Sequence, residues 1–250
     1  MLCGLGLYGC ITTEYNTATH QQDIFFYSTE KEVNLGRNVS KSVENKLPIF
    51  KDPRITNKIF EIGRMVSDVC DRKEINYYFG VIDEKDEINA ASLPGGYIYV
   101  YRGLLDMLDN DDQIAFVLAH EIGHIVARHH IKKLQAALGY NFLLLAASQV
   151  PSSGNISGAQ GVDLIFATIM SEYSQEDELL ADELAVKYTE KAGFDPKEGI
   201  NVLNKLREKN REEKPRPISY FRTHPYISQR IRSIKQLLGL PLEFQDIIND

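Results

Sequence analysis

The chain has 250 residues, 43% of them hydrophobic, enough to bury a large core as one globular unit. Its net charge of -7 and its lack of a long basic block exclude nucleic acid as the main partner, because phosphate binding needs clustered Lys and Arg. Three Cys, at 3, 10 and 70, are odd in number and far apart, so neither a disulfide framework nor a CxxC metal site is expected.

In chain order, the N-terminal segment MLCGLGLYGC ends in LYGC, the pattern of a bacterial lipobox. On that reading Cys10 is a lipid-bearing first residue and a possible membrane tether; the alternative is an ordinary unstructured N-terminus. Residues 1–27 read as a tether, polar and Thr-rich from Ile11 onward, and 28–250 as a single domain. Thr29 opens a capping box with Glu32 for a helix to Leu47, stopped by Pro48. Pro53 opens a second helix, with Ile55, Ile59, Ile62, Met65, Val66 and Val69 at helical spacing.

Between Ile75 and Tyr101 the texture turns to β, in INYYFGVID and, after Leu93-Pro94-Gly95-Gly96, in YIYVY. The strand Tyr97–Tyr101 reads either as core or as an exposed edge able to hold an extended polypeptide through its main chain. The stretch Asp111 to Leu134 reads as one buried helix capped by Asn110, with Gln113 three residues on. It carries HEIGH: His120 and His124 lie four apart on one face, as two ligands of one metal ion, and Glu121 follows the first directly. Nine residues past His120, His129 should face away from the metal, and His130 is read equally plainly. Gly123 within this helix calls for a close neighbour, expected to be the Tyr97–Tyr101 strand or a peptide lying along it. The loop Pro151 to Gly161 has the composition of a mobile lid. Helices follow from Val162, from Gln175 to Lys191, from Pro196 to Asn210 and from Ile227 to Leu238.

Two His are too few for a catalytic zinc, which takes three protein ligands. In SQEDELLAD, Glu178 is the candidate third ligand, with Asp182 one turn on to orient a ligand imidazole. Residue type alone leaves open a solvated acidic face shared with Glu176, Asp177 and Glu183.

HEIGH at 120–124, ELLAD at 178–182 and THPYISQR at 223–230 occur in the order found in zinc endopeptidases of the CaaX prenyl protease and bacterial heat-shock peptidase type, which the chain resembles. NAASLPGGYIYVYRGLL, 89–105, is also similar to that family's strand ahead of the metal helix. The resemblance implies an α+β, mostly helical, zincin-like metallopeptidase with a small β-sheet flanking the HExxH helix. It implies one Zn2+ on His120, His124 and Glu178, and Glu121 as general base. It also implies a substrate-side role for His224, as oxyanion donor or reversible blocker, with Arg230 nearby. The expected function is endopeptidase action on unfolded or misassembled envelope proteins, in the bacterial periplasm. A chaperone-like binder and a small-peptide aminopeptidase are the competing readings.

Overall fold

The structure is a computed structural model that describes residues 12–16, 18–19, 21–25, 27–148, 159–212 and 219–247. Cys10, His20 and 149–158, the larger part of the expected lid loop, lie outside the described residues.

The expected tether is in fact folded from residue 12. Strands β1 (Thr12–Asn16) and β2 (Gln21–Phe25) pair antiparallel, Thr12 opposite Phe25 and Asn16 opposite Gln21. Phe25 is buried, and Asn16 Nδ2 donates to Ala127 O at 3.2 Å. Threonines and aromatics favour a pleated surface, and pairing plus that anchor order the segment.

Helix α1 runs Thr29–Lys46, but its cap is Ser28, whose side chain accepts from Lys31 N. Glu32 is therefore free of capping duty and is buried in an ion cluster. Helix α2, Pro53–Ser67, starts on the Asp52 cap with its proline in the first turn, where no backbone donor is needed.

The sheet holds β3 (Tyr78–Ile82), β4 (Ala90–Leu93) and β5 (Tyr97–Tyr101) in the order β3-β5-β4, β3 parallel and β4 antiparallel to β5. β5 is thus the central strand. Its main chain is engaged on both sides, so the expected peptide-binding edge cannot lie there; the strand that borders the site is the short, unanticipated β4. The turn Pro94–Gly96 joining β4 to β5 takes positive φ at Gly95 (74°) and Gly96 (100°), and a Cβ on Gly95 would lie 2.6 Å from Val33 Cα.

After the single turn α3 (Arg102–Leu105) comes α4, Asp111–Val126, capped by Asn110 Oδ1 accepting from Gln113 N. Leu118, Ala119, Ile122 and Ile125 are fully buried, each large apolar side chain contributing about 1.5–3 kcal/mol over exposure. The expected single helix breaks at Ala127–Arg128, where Arg128 adopts a left-handed φ of 57°. Helix α5 restarts at His129 and runs to Ser148. Helices α6 (Ala159–Ile169), α7 (Gln175–Lys191), α8 (Glu198–Glu212), α9 (Ser219–Thr223), α10 (Ile227–Leu237) and α11 (Phe244–Ile247) complete the chain. Packed between α2, α7, α8 and β4, α4 is the axis of the core.

Candidate metal centre

Helical spacing sets His120 and His124 one turn apart on α4, and their Nε2 atoms lie 3.1 Å from each other. The third donor reaches them from α7, which begins with a reciprocal capping box between Ser174 and Asp177. α7 crosses α4 at Gly123, where an added Cβ would lie 2.9 Å from Ala181 O and 3.1 Å from Ala181 Cα. The close neighbour of Gly123 is therefore the α7 backbone rather than β5. That approach brings Glu178, one turn before Asp182, to 3.3 Å from His124 Nε2 and 3.6 Å from His120 Nε2.

These separations suit a cation. Donors at ~2.0–2.1 Å from a tetrahedral zinc lie roughly 3.3–3.4 Å apart, close to the distances between the three side chains. Glu121 Oε1 is buried and accepts no hydrogen bond among the described residues, while Oε2 accepts from Ser92 Oγ at 2.7 Å. A bare carboxylate oxygen beside two imidazoles and a second carboxylate is costly without an ion or water to face. His120, His124, Glu178 and His224 offer donor atoms all within 4.8 Å of one another.

Behind the donors lies a second layer. Asp182 accepts from His120 Nδ1 at 2.8 Å, which leaves Nε2 for the metal, as its helical position suggested. Arg230 binds Asp182 through Nε (2.7 Å) and Nη2 (2.8 Å), and places Nη1 2.7 Å from Glu178 Oε2. It is fully buried behind the carboxylates of Asp182 and Glu178. Burial raises the Glu178 carboxyl, but the facing His224 and Arg230 outweigh it and hold the group well below the ordinary range. Asp182 is likewise raised by burial, but Arg230 and His120 together hold it below the ordinary range.

His129 overturns its expected orientation. The kink at Arg128 turns its ring back, so that its Nδ1 lies 2.8 Å from His124 Nδ1 and its Nε2 3.2 Å from Asp177 Oδ1. Burial pushes His129 down to about 4, so it is neutral and can accept from His124. The half-turn argument assumed an unbroken helix, and no glycine or proline at 126–130 marks the break.

His224, at the end of α9, is stacked on Tyr220 at 4.7 Å between ring centroids. Its Nδ1 lies 3.0 Å from Glu178 Oε1 and 3.3 Å from His120 Nε2, and its Nε2 3.5 Å from Glu121 Oε1. His224 thus fills the fourth corner of the donor cluster. The segment Ile169–Tyr173 covers the cleft, with Tyr173 stacked 3.9 Å from His124 and its N–H bonded to Thr223 O. Lys133 pins that segment by donating to Ile169 O (2.8 Å) and Ser171 O (2.6 Å). The space left among β4, Glu121, Tyr173 and His224 is about 10 Å³, room for one water at most. Sequence reasoning passed over Ser92 and Tyr173 and read Asp177, His129 and His130 as bland, because four separate elements bring these residues together.

The profile of peptidase family M48 matches residues 53–238, which contain every donor. The chain is 27% identical over 219 residues, 82% of its length, to the beta-barrel assembly-enhancing protease of Escherichia coli K12, but covers 43% of that protein. It is 31% identical over 154 residues to the metalloprotease LoiP of Escherichia coli K12, covering 61% of this chain and 60% of LoiP. To the mitochondrial metalloendopeptidase OMA1 of Schizosaccharomyces pombe it is 25% identical over 244 residues, 95% of this chain and 70% of the relative. The chain spans less than half the length of the assembly-enhancing proteases it matches.

Proposed function

Because the chain belongs to peptidase family M48, we propose that it is a zinc-dependent endopeptidase that hydrolyses peptide bonds of unfolded or misassembled cell-envelope proteins. The observation that carries this reading is Glu121 Oε1, a buried carboxylate oxygen without a hydrogen bond among the described residues, set beside a His120, His124 and Glu178 donor set of tetrahedral spacing. Bound there, zinc would supply a Lewis acid that brings water within reach of deprotonation at neutral pH. Glu121 Oε1 takes that proton and passes it to the leaving amine. Asp182 and His129 hold the two imidazoles so that each turns Nε2 inward. His224, swung away from the fourth corner, donates to the oxyanion, a role whose loss costs roughly 100- to 1000-fold in rate.

The polypeptide adds its backbone to β4, which among the described residues pairs with β5 alone. For this to occur Ile169–Tyr173 and α9 must draw back from the cleft. Backbone recognition favours extended, unfolded chains over a particular sequence. The envelope assignment is supported by bacterial relatives named for β-barrel assembly. No described helix is long and apolar enough to cross a membrane. Lipid attachment at Cys10, placing the protein in the periplasm at a membrane surface, rests on LYGC and is tested by fractionating cells that express Cys10→Ala.

The experiment is casein hydrolysis by zinc-loaded protein and by Glu121→Gln. Loss of cleavage with casein binding kept supports the peptidase. Undiminished cleavage would remove Glu121 from its role. A second reading, a chaperone-like binder that cuts seldom, is favoured by His224 at the fourth corner and by the nearly filled cleft. It predicts that Glu121→Gln leaves cellular function unchanged.

A further inference from the structure

Glu121 has two oxygens in different circumstances, and the difference traces to β4 and the first turn of α5. Oε2 accepts from Ser92 Oγ at 2.7 Å, while Oε1 has no hydrogen bond among the described residues. Ser92 Oγ also lies 3.1 Å from His130 Nε2. All three side chains are at most 2% exposed.

Counting protons fixes the direction of this chain. A serine hydroxyl has one hydrogen, and Ser92 Oγ donates it to Glu121 Oε2 at 2.7 Å. The second contact then needs its hydrogen from the imidazole, which makes His130 the Nε2–H tautomer. His130 Nδ1 is left as a bare acceptor, and among the described residues it has no partner. Burial also pushes His130 well below its ordinary value, so the ring is neutral.

We propose that Ser92 and His130 are positioning residues for Glu121, acting as a directed His130-to-Ser92-to-Glu121 chain that locks one carboxylate oxygen and presents the other to the reacting water. This rests on Glu121 being the general base. His130 fixes the hydroxyl rotor, and the hydroxyl fixes the carboxylate rotamer and removes Oε2 from competition for the proton. The left-handed turn at Arg128 makes the arrangement possible, because it points His129 at His124 and the next residue at β4. One backbone kink thereby serves both a metal ligand and the base.

The test uses full-length protein, fluorogenic casein as substrate and Ser92→Ala, His130→Asn and their double variant, with zinc content measured on each. Ser92→Ala should lower kcat by roughly 10- to 100-fold, the range typical for partners that orient site groups. KM should change less than twofold and zinc content should stay that of the parent. His130→Asn should lower kcat several-fold in the parent and have no further effect in Ser92→Ala, because the chain is then already cut. Independent of activity, 15N NMR of the metal-free protein should find His130 protonated at Nε2 and bare at Nδ1. An Nδ1–H tautomer, or a kcat for Ser92→Ala within threefold of the parent, overturns the proposal. If Ser92→Ala fails to fold, the tautomer and His130→Asn still decide. Failure of the Glu121 reading is distinguishable: Glu121→Gln would then remain active, whereas failure of the chain alone leaves Glu121→Gln inactive and Ser92→Ala unimpaired.

Discussion

Two buried ion clusters brace α4, one at its middle and one at its C-terminal end, and they differ in how their charge is balanced. At the middle, Arg230 faces two carboxylates, Asp182 and Glu178. At the end, Glu32 faces two guanidiniums, bonding Arg72 at 2.8 and 3.0 Å and lying 2.9 Å from Arg128 Nε. That end is balanced within the protein: Arg72 Nε also bonds Glu74 Oε1 at 2.7 Å, Arg72 donates to Ile125 O at the C-terminal end of α4, where cations are favoured, and Arg128 donates to Tyr27 O. The negative excess at the middle meets no second guanidinium among the described residues and opens instead onto imidazole nitrogens and a carboxylate oxygen without a hydrogen bond. One cluster is balanced within the protein; the other offers a donor set that fits a cation.

The largest expected effect breaks the first cluster. Arg230→Met leaves two buried carboxylates unpaired and should cost about 3–5 kcal/mol in chemical denaturation, with loss of zinc affinity. Glu32→Gln keeps an acceptor for both guanidiniums and should cost about 1.5–3 kcal/mol, with zinc binding kept. If Glu32→Gln released zinc and Arg230→Met did not, the contrast between the clusters would be wrong.

Gly123→Ala sharpens the comparison, because it moves α7 and its carboxylates without touching charge. Its Cβ would meet the Ala181 backbone, so a loss of about 1–3 kcal/mol is expected, with weakened zinc binding measured by chelator competition.

A change of pH bears on the comparison least directly. His129, down to about 4, and His130, also lowered by burial, bind protons in the unfolded chain before they do in the folded one. Stability of the metal-free protein should therefore fall as pH drops below ~6.5, by about 1.4 kcal/mol per pH unit for each histidine, towards pH 4. Urea melts at pH 7 and pH 5 check the sign; equal stabilities would mean the rings are not held neutral.

What sequence could tell followed helical periodicity. His120 with His124, and Glu178 with Asp182, are pairs four apart within single helices, and their roles in the site agree with that spacing. What escaped was tertiary. A left-handed turn at a non-glycine costs about 1–2 kcal/mol and has no local mark; at Arg128 it is offset by Glu32, by Tyr27 O and by the Phe25 ring 3.9 Å away, all about a hundred residues distant in the chain. Glu32 reads as a capping partner because Thr29 stands three residues before it, and only the contact with Arg72 reveals otherwise. β4, with the small residues AASL, becomes a strand because β5 offers it a partner.

The central claim is that α4 and α7 together hold one zinc ion through His120, His124 and Glu178. Elemental analysis of protein purified without added zinc, beside Glu178→Ala, tests it most directly. The account predicts about one zinc per chain in the parent and a loss of most of it in the variant. Full zinc retention in Glu178→Ala would contradict it.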